Sequence, residues 1–200
     1  MTARFSVCAH WHSHINAVQA PLWMVDWLTS RASLTARLLA SSETFRVQRL
    51  HQHRAMCLRD EFEKITLRKR VQVMERDVLL RCNETPVVYA HTVLPLSATA
   101  QQWPLFATLG NRSLGTTLFD DPLVERGALE FARLRPSHAL VGRIANLGLI
   151  AAPDERLFDC LFARRSVFKR KGASLLVTEV FLPSLVDFSR VGRDHLPAVF

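Results

Sequence analysis

Two charged residues stand where apolar neighbours predominate. Glu179 lies in Leu175-Leu176-Val177-Thr178-Glu179-Val180-Phe181-Leu182, a run with the length and composition of a buried strand. An ionised carboxylate there must meet a cation or take up a proton, because burial penalises its charged form. Arg76 is its counterpart. Along Val73 to Arg81 the strand period of two puts Met74, Arg76, Val78 and Leu80 on one face and Val73, Glu75, Asp77, Leu79 and Arg81 on the other. The second set carries the charges of a solvent-facing side, and Arg76 is the one charge on the apolar side. A guanidinium turned toward a core wants a carboxylate, from the protein or from a ligand. Arg76 and Glu179 therefore either meet in a pocket for a small organic anion or form a buried structural ion pair, and strand context alone does not separate the two. Just upstream of Glu179, the basic strand Ala163 to Arg170 ends in the turn signal Lys171-Gly172. The resulting hairpin brings Arg164 and Arg165 near the acid, either as solvated residues or as part of the lining.

Other chemistries find less support. His10, His12 and His14 alternate, as do His51 and His53, but no carboxylate or cysteine stands at ligand spacing beside them, so no metal site is expected. Cys8, Cys57, Cys82 and Cys160 form no C-x-x-C pair and are expected to be reduced thiols of a cytoplasmic protein. There is no G-x-S-x-G, no phosphate-cradling glycine loop and no dinucleotide fingerprint, which argues against hydrolase, kinase and dehydrogenase chemistry. Trp11, Trp23, Trp27 and Trp103 are expected to be packing residues. The 26 Lys and Arg against 18 Asp and Glu give a formal charge of +8, spread along the chain rather than gathered in an arm. That favours small acidic substrates at least as much as nucleic acid, for which no binding-module signature is present. The N-terminal residues lack the apolar core of a signal peptide and no later stretch is apolar enough to span a bilayer, so no stable membrane insertion is expected.

The positioning elements follow from pattern. Pro21 to Leu39 predicts two helical pieces, with Pro21 suited to a first helical position and Ser33 to an N-cap. Phe45 to Arg49 alternates as a strand, and the charged stretch Arg59 to Arg70 is expected to turn through solvent. Val71 to Cys82, a turn at Asn83-Glu84-Thr85-Pro86 and Val87 to Leu94 form the clearest hairpin. Gln101 to Leu109 predicts a helix stopped by Gly110, Ser113 to Phe119 a short helical turn, and Leu129 to Leu134 a strand. Residues 135–159 are an inserted excursion between strands with no assigned role. Strands that come as hairpins make an antiparallel sheet, so residues 1–200 are expected to form one α+β domain with helices covering the sheet.

Four segments carry a family resemblance: Arg76-Asp77-Val78-Leu79-Leu80; Thr92-Val93-Leu94-Pro95; Leu109-Gly110-Asn111-Arg112-Ser113-Leu114-Gly115-Thr116-Thr117-Leu118-Phe119; and Ala163-Arg164-Arg165-Ser166 through Leu176-Val177-Thr178-Glu179-Val180-Phe181-Leu182-Pro183. In order and spacing they resemble the chorismate pyruvate-lyase family, which converts chorismate into 4-hydroxybenzoate and pyruvate at the entry to ubiquinone synthesis. The resemblance implies that Arg76 pairs with the product carboxylate, that Leu114 supplies a backbone contact, and that Glu179 is the acid on the late strand. It places Leu34 where some members have a product-contacting methionine, keeping an apolar wall. Where some relatives have Arg before Thr-x-x-Pro this chain has His91, which replaces a permanent cation at a second substrate-carboxylate contact. The resemblance further implies a monomeric cytoplasmic enzyme with no cofactor or metal, whose partners are chorismate and 4-hydroxybenzoate. The alternative is a non-catalytic domain of the same fold that senses a small organic acid.

Overall fold

In a computed structural model of the chain, residues 8–98, 101–150 and 160–189 are described. Two short helices, α1 (Leu22–Thr29) and α2 (Leu34–Ala40), lead into three long strands, β1 (Phe45–Met56), β2 (Gln72–Cys82) and β3 (Thr85–Pro95). Then come a 3-10 turn at Pro104–Thr108, α3 (Leu114–Asp120), β4 (Val124–Arg126), β5 (Glu130–Leu134), α4 (Ala139–Asn146), β6 (Leu161–Arg170) and β7 (Ala173–Phe181). The strands form one seven-stranded sheet in the order β1-β2-β3-β7-β6-β4, with β5 sharing the edge of β6. All pairings are antiparallel. This is a single α+β domain.

Local chemistry sets the ends of the elements. The Ser33 hydroxyl accepts a hydrogen bond from Ala36 N and caps α2, while Pro21 stands one position earlier than expected, as the residue before α1. The hairpin joining β2 to β3 turns on Asn83 and Glu84, and that joining β6 to β7 on Lys171 and Gly172, all at positive φ. Two left-handed residues in a two-residue turn match the twist of the strands they join. Farther in, β2 and β3 slip by one position between Leu80 and Arg81. That slip turns every later side chain of β3 to the opposite face from the one turn-counting assigns.

Both faces of the sheet are covered. On the first, Met24, Trp27, Leu28, Leu34 and Leu38 of α1 and α2 pack on Val78, Leu80, Val88, Ala90 and Phe181. Trp103, Phe106, Leu114 and Leu118 continue that layer over Leu94, Phe168 and Leu175. On the second, Leu140, Val141 and Ile144 of α4 pack on Leu79, Tyr89, Ala163 and Val180. The excursion after Arg135 thus supplies a cover helix, while residues 151–159 lie outside the described residues. Other departures are smaller. β1 runs seven residues beyond Arg49, and the helix expected over 101–109 is a 3-10 turn at Pro104–Thr108. The stretch Arg59 to Arg70 is turns, as expected, yet Glu61 and Ile65 within it are buried.

Gly172 sits at φ +78° with open space where a Cβ would stand. Gly172→Ala therefore tests backbone conformation free of side-chain collision, and should lower unfolding stability by about 1 kcal/mol, read from urea denaturation followed by circular dichroism.

Candidate functional site

A cavity lies between the first face of the sheet and the α2–α3 layer. Its floor is two cross-strand rows: Arg76, Thr92, Val177 and Ser166 are successive partners in one, and Val78, Ala90, Glu179 and Arg164 in the other. Ala90 and Thr92 are small, which leaves depth over the middle of the sheet. Leu34 and Thr35 at the start of α2 and Ser113, Leu114 and Gly115 at the start of α3 form the roof. The two helix starts are clamped by a 2.6 Å hydrogen bond between the Thr35 and Ser113 hydroxyls. A Cβ on Gly115 would stand 3.0 Å from Thr35 Oγ1, so a larger residue there would press on the hydroxyl clamp. Leu114 opens α3, where backbone N–H groups are not consumed by the helix. The cavity has a free volume of about 50 Å3.

Arg76 and Glu179 line this cavity together but do not touch. Two strand spacings and two residues along the strands separate them, about 9.6 Å by about 6.7 Å at the backbone. No ion pair among the described residues includes Arg76. Its Nη2 donates to the carbonyls of Arg112 at 3.0 Å and Gly110 at 3.2 Å, and its Nε is buried without a partner. Burial, with Arg49 adding repulsion, lowers Arg76 to about 10.

Glu179 is not a lonely buried acid. Arg164 Nε donates to its Oε2 at 2.5 Å, and Arg164 Nη1 donates to the carbonyls of Ser30 at 2.8 Å and Trp27 at 2.9 Å. The structural pair is therefore Arg164–Glu179, and it lies inside the cavity. The Arg76–Glu179 pair considered from sequence is absent. Arg165, next along β6, points to the second face, where its Nε meets Glu130 at 2.7 Å and its guanidinium lies 4.1 Å from the Trp11 ring centre. A third arginine, Arg126 of β4, completes the lining and carried no sequence signal beyond its charge.

His91 is placed otherwise than the resemblance implied. The slip in the β2–β3 pairing sets Thr92 opposite Arg76 and His91 opposite Asp77, on the second face, so His91 has no part in the cavity. The residues expected to face solvent there are buried too: Glu75 is 1% and Asp77 0% exposed. His91 Nδ1 lies 2.5 Å from Asp77 Oδ1 and His91 Nε2 2.9 Å from Glu61 Oε1. Tyr89 Oη also donates to Asp77, and Arg143 of α4 bridges Glu75 and Asp77. Burial opposes a charge on His91, but Asp77 and Glu61 outweigh it and raise the imidazole well above its usual range. Burial likewise would raise Asp77, yet the charge and hydrogen bonds of His91, with those from His51 and Tyr89, hold its carboxyl below the usual range.

That second face also supplies what the histidines lacked in sequence. Strand pairing sets His53 opposite Glu75 and His51 opposite Asp77, so carboxylates do stand at ligand distance from His51 and His53. A cation already sits among them: Arg143 Nη1 is 2.9 Å from both Glu75 Oε1 and Asp77 Oδ2. The cluster is an ion network centred on Asp77 and Arg143.

Comparison with known proteins adds a family. Residues 7–192 match the sequence profile described as chorismate lyase. A protein of Ralstonia nicotianae named "probable chorismate pyruvate-lyase" is 48% identical over 172 residues, covering 86% of this chain and 87% of its own. One of the same name from Cupriavidus metallidurans is 44% identical over 179 residues, covering 89% and 82%. Among solved structures, the C-terminal domain of the histidine utilization repressor of Pseudomonas syringae superposes with a TM-score of 0.51 at 12% identity, covering 70% of this chain and 93% of that one. The effector domain of PhnF from Mycobacterium smegmatis gives 0.51 at 13% identity, covering 78% and 91%. Those two share the fold.

The His91 network makes stability sensitive to alkali. A histidine whose folded pKa is raised contributes stability that is whole below its unfolded pKa of about 6.5 and is lost as pH rises through the folded value. Urea midpoints should therefore fall progressively above about pH 6.5. In His91→Gln the overall stability should be lower and this decline flattened; an unchanged pH profile would contradict the placement of the charge.

Proposed function

The chain belongs to the chorismate lyase family, and we propose that it eliminates pyruvate from chorismate to give 4-hydroxybenzoate at the entry to ubiquinone synthesis. The observation that carries this is Arg76, a buried cation with no carboxylate partner among the described residues, facing a cavity that also holds Glu179. A buried arginine in that state is stabilised by an anionic ligand far more than an exposed one would be. The family relation supports chorismate as that anion.

The roles follow from position. Arg76 takes the ring carboxylate with its unpartnered Nε, and Leu34 with Val78 and Ala90 walls the ring. Leu114 offers its backbone N–H from the roof. Glu179 stands at the far end of the ring, where carbon 4 bears the hydroxyl and carbon 3 the enolpyruvyl ether. In the elimination the C3–O bond breaks, the proton on C4 leaves, and the departing enolpyruvate gains a proton on its methylene carbon to become pyruvate. One dianion becomes two monoanions with no change in oxidation level, so one relay group can carry the proton from C4 to the leaving group. Glu179 is that relay, with its Oε2 held by Arg164. Aromatisation supplies the driving force, and the step balances without a cofactor. The proposal carries with it a cytoplasmic, monomeric enzyme; no helix among the described residues is long and apolar enough to cross a membrane.

The alternative, an acid-sensing domain, is favoured only by the likeness in fold to repressor effector domains. Purified protein supplied with chorismate separates the two: the enzyme forms 4-hydroxybenzoate and pyruvate in equal amounts, and the sensor forms neither. Glu179→Gln should lower kcat by about 1,000-fold with the fold retained. Arg76→Gln should lower kcat/KM by about 100-fold and weaken 4-hydroxybenzoate binding in step. Normal turnover in both variants would show that these residues are not the machinery.

A further inference from the structure

Three guanidinium groups line the cavity: those of Arg76, Arg164 and Arg126. Arg164 is spent on Glu179 and on main-chain carbonyls. In the lyase reading Arg76 meets the ring carboxylate. Chorismate carries a second carboxylate, on the enolpyruvyl side chain, and His91, the residue at the sequence position of a second cation in some relatives, lies on the other face of the sheet.

Arg126 has the remaining capacity. Its Nη1 donates to the Arg31 carbonyl at 2.7 Å, which fixes one edge of the guanidinium to the loop between α1 and α2. The group lies 5.4 Å and 5.6 Å from the ring centres of Phe119 and Phe168, both of them cavity residues. Its Nε is buried and has no hydrogen-bond partner, and no ion pair among the described residues includes it. Two arginine Nε atoms in one cavity are thus left without acceptors, Arg76 on β2 and Arg126 on β4, with β3, β7 and β6 between them. Arg164 and Glu179 come from β6 and β7, between the two ends. Burial weakens the hold of Arg126 on its proton, and the Glu179 charge opposes that loss.

We infer that Arg126 is the residue that receives the second carboxylate of the substrate, the one that departs with pyruvate. This rests on the lyase reading for the identity of the ligand and on the cavity alone for the placement of the cation. One arginine then keeps the ring carboxylate through the reaction while the other holds only the leaving group. Arg126 so selects for dicarboxylates, whereas Arg76 serves substrate and aromatic product alike. The acid between them acts on the bond that joins the two halves.

The test compares two unreactive ligands by titration calorimetry, 4-hydroxybenzoate with one carboxylate and 3-(carboxymethoxy)-4-hydroxybenzoate with two. Arg126→Gln should weaken the dicarboxylate by about 10- to 100-fold, leave 4-hydroxybenzoate within about twofold, and raise KM for chorismate. Arg126→Lys, which keeps the charge, should recover part of the dicarboxylate affinity. Preserved 4-hydroxybenzoate binding certifies the folded cavity in both variants. Equal weakening of both ligands, or of neither, overturns the inference. A wild-type protein that prefers the dicarboxylate through Arg126 but never turns over chorismate overturns the lyase reading and leaves the cation where it is placed here.

Discussion

The pairing of β2 with β3 sets Arg76 opposite Thr92 and Asp77 opposite His91, and the interior charges are arranged around that register. Side chains alternate across a strand, so a one-residue slip exchanges whole faces. Here the slip between Leu80 and Arg81 sends an imidazole into a nest of carboxylates and leaves Thr92 beside the arginine. Without it His91 would share the face of Arg76, two cations would crowd one cavity wall, and Asp77 would lose its nearest cationic partner. The bulge is therefore a sorting device, not a defect in the ladder.

The two faces treat charge in opposite ways. On the second, Glu61, Asp77, His91, Tyr89 and Arg143 are joined at hydrogen-bonding distance, so the desolvation of each is offset by a neighbour. On the first, Arg76 and Arg126 keep buried Nε atoms with no acceptor. Leaving a buried cation without a carboxylate costs several kcal/mol in general, and main-chain carbonyls from Gly110, Arg112 and Arg31 recover part of it. Under the proposed function, the stability lost there would reappear as affinity for an anionic ligand.

Much of the site was legible because turn chemistry transmits register. Lys171-Gly172 is a two-residue turn, and counting back from it along unbulged strands puts Arg164 opposite Glu179. The intruders Arg76 and Glu179 stood out because each breaks an apolar period, and Ser33 announced its helix by its capping hydroxyl. What was not legible depended on distant packing. No local pattern marks the slip that moves His91, since a bulge is chosen by fit across strands. α4 had no expected role, so Arg143 could not be foreseen over Glu75 and Asp77, and both were assigned to solvent. Arg126 belongs to a strand of three residues, too short for any period to show which way its side chain points.

The placement of Glu179 bears on what kind of anion site this is. A pocket built only to hold a dianion would gain affinity from three free arginines and lose it from any carboxylate among them. This cavity instead commits Arg164 to neutralising Glu179, giving up one anion contact to keep an acid in the middle of the floor. Simple binding gives no reason for that arrangement, because repulsion from a carboxylate acts on every anionic ligand. Proton transfer would: under the proposed reaction, a carboxylate oriented by an arginine on the cavity floor could take a proton from one half of the substrate and return it to the other. The Arg164–Glu179 pair, a structural ion pair by its geometry, is thereby also the feature on which the lyase proposal and a sensor of the same fold would differ.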